Sequence, residues 1–80
     1  MICSLRQLKV HDKATVTSVN AGGEMGRRLR DMGLVIGTEI EIIGRAPLKD
    51  PVAMRLRGFT LTLRNNEADY IYVDTKEPLA

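Results

Sequence analysis

Eighty residues, 44% of them hydrophobic and 28% charged, leave room for one domain with a small core, since a chain of this size buries only about 60% of the surface it exposes when unfolded. Twelve basic against ten acidic residues give a net charge of +2, interleaved along the chain, which is too little asymmetry to argue for nucleic acid as a partner. The one cysteine excludes an internal disulfide, no apolar run approaches the roughly 20 residues of a membrane span, and no basic-then-apolar leader opens the chain; a cytoplasmic protein that meets any membrane through a partner is expected.

Ser4 is a plausible N-cap, and Leu5, Leu8 and Val10 follow at near-helical spacing, which predicts a short helical turn over residues 4–10. Residues 13–19 are rich in Thr and Val and read as a first strand, ended by the turn-prone Asn20-Ala21-Gly22-Gly23. Its inward face stays open, because Val16 and Val19 have opposite parity. From Glu24 the period changes: Met25, Leu29 and Met32 form one helical stripe, with Arg27, Arg28, Arg30 and Asp31 off it. Gly33 as a left-handed C′ residue makes Leu34 C″ and Leu29 C3, the hydrophobic pair that accompanies a Schellman ending.

Residues 38–43 alternate, with Ile40 and Ile42 on one face and Glu39 and Glu41 on the other, until Gly44 breaks the run. Ala46-Pro47-Leu48-Lys49-Asp50-Pro51 is a stiff arm, because each proline fixes φ and biases the residue before it toward extended backbone. A two-residue turn at Arg57-Gly58 then pairs Leu56 with Phe59, Met54 with Leu61 and Val52 with Leu63, all apolar and all on one face. The other face pairs Arg55 with Thr60 and Ala53 with Thr62, and Phe59 is expected in the core. Arg64-Asn65-Asn66-Glu67 reads as a polar turn, after which Ile71 and Val73 point inward and Tyr70 and Tyr72 outward.

The fold class expected is mainly β: a small, partly open barrel of about five strands, with one helix between strands 1 and 2 and a short N-terminal helical turn plugging one end. The whole chain, residues 1–80, is read as one such domain.

Little in the chain suggests catalysis or metal chemistry. Cys3 and His11 are the sole soft or imidazole ligands, and a closed transition-metal site needs three or four such groups. Asp12, or ligands from a second chain, would have to complete even a weak site, so no metal and no cofactor is expected. A lone His without a nucleophile context, paired carboxylates on a wet strand face and the lack of a phosphate-cradling glycine loop all argue against an enzyme. The polar candidate is the arginine cluster on the helix, because guanidinium groups clamp carboxylates or phosphates; a solvated face is the simpler alternative for any one of them. The Leu34-Val35-Ile36 run after the cap serves either the core or a docking surface. Leu48, at the tip of the arm, either enters a partner pocket or folds back over the open barrel end.

Several ordered motifs together resemble the FeoA family (ferrous iron transport protein A). They are the Arg28-Leu29-Arg30-Asp31-Met32-Gly33-Leu34-Val35-Ile36-Gly37-Thr38 run, then Ala46-Pro47-Leu48-Lys49-Asp50-Pro51, Arg57-Gly58-Phe59, and the late Ala68, Ile71 and Val73. His11 departs from the family pattern, where Gly is common. The resemblance implies an SH3-like barrel and a non-enzymatic cytosolic accessory of bacterial ferrous iron uptake, recruited to the membrane face by docking onto FeoB, a permease with a cytosolic G-protein domain. The partner-binding residues it suggests are Arg28, Arg30, Asp31, Leu34 and Leu48, with an arginine acting on GTP hydrolysis as a sharper version. The rival it leaves open is a free-standing regulatory module like the C-terminal domain of iron-dependent transcriptional repressors. No helix-turn-helix is present for direct DNA reading, the aromatics lack a basic strand face for RNA, and a weak homodimer stays open.

Overall fold

The computed structural model describes residues 1–46 and 50–75. One antiparallel sheet holds six strands: β1 (Ile2–Ser4), β2 (Lys13–Val19), β3 (Glu39–Arg45), β4 (Val52–Leu56), β5 (Phe59–Leu63) and β6 (Ile71–Asp74). Helix α1 (Gly23–Asp31) lies between β2 and β3, a 3-10 turn (Leu5–Gln7) follows β1, and a short helix α2 (Asn65–Ala68) precedes β6. The strand order is β1-β6-β2-β3-β4-β5, so the curled sheet ends on β1 and β5 and is not closed.

The mainly β, partly open architecture agrees with the sequence reading, and β2 has the bounds expected of the first strand. The sixth strand is β1, where Ile2 pairs with Asp74 and Ser4 with Tyr72. Three residues with one inward side chain, Cys3, carry no alternation from which a strand is read. The parity conflict in β2 is settled by an irregularity: its pairing with β6 shifts register between Val16 and Ser18, which carries Val19 back against the core with Val16. Gly44 does not end its strand. β3 runs on to Arg45, with a register shift between Ile42 and Gly44 that lets the small residue absorb a bulge.

The β4–β5 hairpin pairs in the expected register, Leu56 with Phe59 through Val52 with Leu63. Arg57 (φ 50°) and Gly58 (φ 85°) both occupy the left-handed region that a type I′ turn requires. The expectation that Phe59 is core fails: the residue is 45% exposed, because among the described residues no strand lies beyond β5 to cover the turn end. The polar turn at residues 64–67 is instead the start of α2. Arg64 holds extended backbone, Glu67 Oε1 accepts its N–H at 3.0 Å, and Ala68 is buried beneath.

The core is a single cluster to which every major element contributes, from Leu5 and Leu8 at one end through Val16, Leu29, Leu34, Ile42, Val52, Met54, Leu56, Leu63, Ile71 and Val73. Arg45 fastens the N-terminal segment to it: its Nη2 donates to the carbonyls of Arg6 at 2.8 Å and Leu8 at 2.6 Å. His11 takes φ 78° in the turn before β2, and its N–H donates to Ile42 O at 2.7 Å. A left-handed histidine is tolerable where most side chains are not.

Candidate functional site

Helix α1 forms because its apolar stripe closes on the core, with Leu29 buried and Met25 and Met32 half-buried against it. It sits close to the preceding segment because Gly26 has no side chain; a Cβ there would lie 2.1 Å from Ala21 O. The end is a full Schellman motif. Gly33 (φ 100°) donates to Arg30 O at 2.9 Å, and Leu34 donates to Leu29 O at 3.1 Å. This motif turns Leu34 into the core, fully buried, so Leu34 does not present itself to a partner as the sequence suggested. The exposed apolar residue of the run is Ile36, at 76%.

The polar face of α1 divides into bound and free charges. Arg28 forms an ion pair with Glu67 of α2, the carboxylate that also caps Arg64. Arg30 reaches back along the helix, its Nη2 donating to Ala21 O at 3.3 Å. Both arginines therefore tie elements together, which lowers their claim as free partner-binding groups. Arg27 and Asp31 are exposed and, among the described residues, their side chains make no hydrogen bond or ion pair. With Glu24, Met25 and Arg28 they line an open groove of about 450 Å³. Arg27 belongs to the cluster singled out in the sequence, but periodicity alone gave no means to rank it above its neighbours.

Phe59 stands beside this helix end: a Cβ on Gly33 would be 3.8 Å from the Phe59 ring, 3.5 Å from Leu56 and 3.8 Å from Arg57. Arg57 Nη2 also approaches Thr38 Oγ1 at 3.4 Å, and that hydroxyl donates to Gly33 O at 3.0 Å. The helix end and the hairpin turn are thus one surface, with Phe59 its exposed aromatic. Leu48 lies outside the described residues, as does the tip of its arm.

Cys3 is buried on β1, and that burial pushes the pKa of its thiol up. Among the described residues, no three His, Cys, Asp or Glu side chains come together as a metal site. Nor is any described helix long and apolar enough to cross a membrane.

Residues 3–75 match the FeoA domain. A curated relative, an Fe(2+) transport protein A/Fe(2+) transporter FeoB fusion protein of Porphyromonas gingivalis, is 34% identical over 70 residues; the match takes in 88% of this chain and spans 8% of that one. Among solved structures, a FeoA-like protein from Clostridium acetobutylicum superposes with a TM-score of 0.88 at 39% identity, covering 96% of this chain and 90% of that one. FeoA of Stenotrophomonas maltophilia, solved with zinc and described as a procaryotic SH3 domain protein, gives 0.79 at 32% identity over 90% and 89% of the two chains. A manganese-dependent transcriptional repressor reaches 0.83 at 19% identity over 92% of this chain and 41% of its own, a likeness of fold alone. With its motifs, its SH3-like architecture and the domain match in agreement, this chain belongs to the FeoA family of ferrous iron transport proteins.

Proposed function

We propose that the chain is a non-enzymatic docking component of bacterial ferrous iron uptake, which binds the cytosolic side of a FeoB-type permease and regulates it there. The observation that carries this reading is the relative in which a segment like this chain and the FeoB transporter share one polypeptide. Covalent fusion keeps the two at high effective concentration, an arrangement of use where separate chains associate. The surface suited to contact is the end of α1 with the hairpin turn: Arg27 and Asp31 for charge, Phe59 and Ile36 for apolar anchorage. Arg28 and Arg30 hold the helix against α2 and Ala21 and so shape that surface without leading it.

Calorimetric titration of the chain against the cytosolic domain of its host's ferrous iron permease tests the proposal, run without nucleotide, with GDP and with a non-hydrolysable GTP analogue. Saturable binding that depends on nucleotide is the expected result, and Arg27→Glu or Phe59→Ala should weaken it. Absence of binding in all three states would overturn docking on that domain.

A further inference from the structure

The outer edge of β5 carries unused backbone hydrogen-bonding capacity. A two-residue turn makes Leu56 and Phe59 a hydrogen-bonded pair, so Phe59, Leu61 and Leu63 direct their N–H and C=O groups to β4, while Thr60 and Thr62 direct theirs away from it. The sheet ends on β5, and both threonines are exposed. Among the described residues no strand lies on that side.

Edge strands are ordinarily protected by charge, proline, a bulge or extreme shortness. β5 has none of these. Its five residues are uncharged and pair with β4 without a register break, whereas the opposite edge, β1, is three residues long. On the core-side face of β5, Phe59 is exposed and Leu61 half-buried, so an added strand would find two apolar side chains at the spacing its own alternate residues need.

Charge selects the occupant. Arg57 precedes β5, Arg64 follows it and Arg55 lies opposite Thr60 on the outer face, all three exposed. A second copy added antiparallel in the register that best uses Thr60 and Thr62 would set the Arg57 end of one chain beside the Arg64 end of the other, a meeting that stays net basic at both ends because Asp50, whose Oδ1 accepts the Asn65 N–H, offsets only one of the arginines. An incoming segment with acidic ends meets the same arginines with opposite charge.

We infer that β5 is a strand-addition site that takes an extended segment of a protein partner, apolar at alternate positions and acidic at its ends. This rests on the docking reading above and names how the contact is made: by main-chain hydrogen bonds to Thr60 and Thr62, apolar cover over Phe59 and Leu61, and carboxylates at Arg57 and Arg64.

The probe is a synthetic peptide of alternating valine and threonine with a glutamate at each end, titrated into the isotope-labelled chain and followed by NMR. Expected are saturable shifts at Phe59, Thr60 and Thr62, and amide exchange at Thr60 and Thr62 slowed about tenfold or more, with Leu61, already bonded to β4, unaffected. A lysine-ended version should bind about tenfold more weakly or worse, the scale of one lost charge-assisted hydrogen bond. No saturable binding, shifts confined to another face, or equal binding of the lysine-ended peptide would each overturn the inference. Protection of Thr60 and Thr62 that rises with protein concentration alone would assign the edge to a second copy instead.

Two variants keep the inference separable from docking in general. Thr62→Pro removes an outward donor while leaving the β4 ladder its own, and should cost about tenfold in affinity for both peptide and permease domain. Where that variant does not fold, Arg64→Glu takes its place, with the same expected loss for the glutamate-ended peptide. If the permease domain binds wild type and variant equally, strand addition fails and docking stands. If the domain binds neither but the peptide binds as expected, docking on that domain fails and the edge site stands.

Discussion

Val52, Met54 and Leu56 on β4 are at most 1% exposed, whereas their partners across the hairpin pass from Leu63 at 1% through half-buried Leu61 to Phe59 at 45%. The two strands share one register and one set of apolar pairs, yet only one lies wholly in the core. The difference comes from the other side: among the described residues β4 is flanked by β3 as well as β5, while β5 has β4 alone. Pairing decides which side chains share a face, and neighbouring strands decide whether that face is dry.

Substitution on the two strands should separate these effects by size. Met54→Ala empties a fully buried site between two strands and should lower stability by about 2–5 kcal/mol, read by chemical denaturation, which threatens the fold of so small a domain. Gly33→Val forces a β-branched residue to φ 100° beside Leu56 and Phe59 and should cost about 2 kcal/mol, with loss of the α1 cap visible in amide exchange at Leu34. Phe59→Ala, in the strand that lacks cover, should cost only about 1 kcal/mol, since half the ring is already wet, while reducing partner affinity. If Phe59→Ala destabilises as much as Met54→Ala, the ring is structural and the contrast between the strands collapses.

The same contrast recurs on α1 at smaller scale. Arg28→Glu opposes a new carboxylate to Glu67, whose side chain is 12% exposed, and should lose about 1 kcal/mol in thermal denaturation, less at high salt. Arg27→Glu touches no described partner and should change stability by less than about 0.5 kcal/mol.

Periodicity and turn chemistry carried most of the architecture. The Leu29, Gly33 and Leu34 pattern contained the Schellman ending, and the apolar pairs around Arg57-Gly58 contained the hairpin register, because both are local devices whose residues lie within a few positions of each other. What escaped was set by distant partners. β1 exists because β6, some 70 residues later, supplies its hydrogen bonds. The two bulges permit Val19 and Gly44 to break alternation without ending a strand. In the site, the helix end and its arginine cluster were legible as surface, but the partners of each arginine were not. Glu67 claims Arg28 from 39 residues away, Ala21 O holds Arg30, and Arg27 is distinguished only by what it does not touch. Leu34 is a different case: the local cap that pairs it with Leu29 was legible, and the same cap buries it, which leaves its second assignment as a partner-binding residue without an exposed side chain.

The pairing of β1 with β6 sets Ile2 opposite Asp74, so the polypeptide enters and leaves the barrel at neighbouring points. Such a domain behaves as a cassette. It can be spliced into or appended to another protein with little rearrangement of its sheet, and a circular permutant joined across these strands and reopened at Arg57-Gly58 should retain the native pairing.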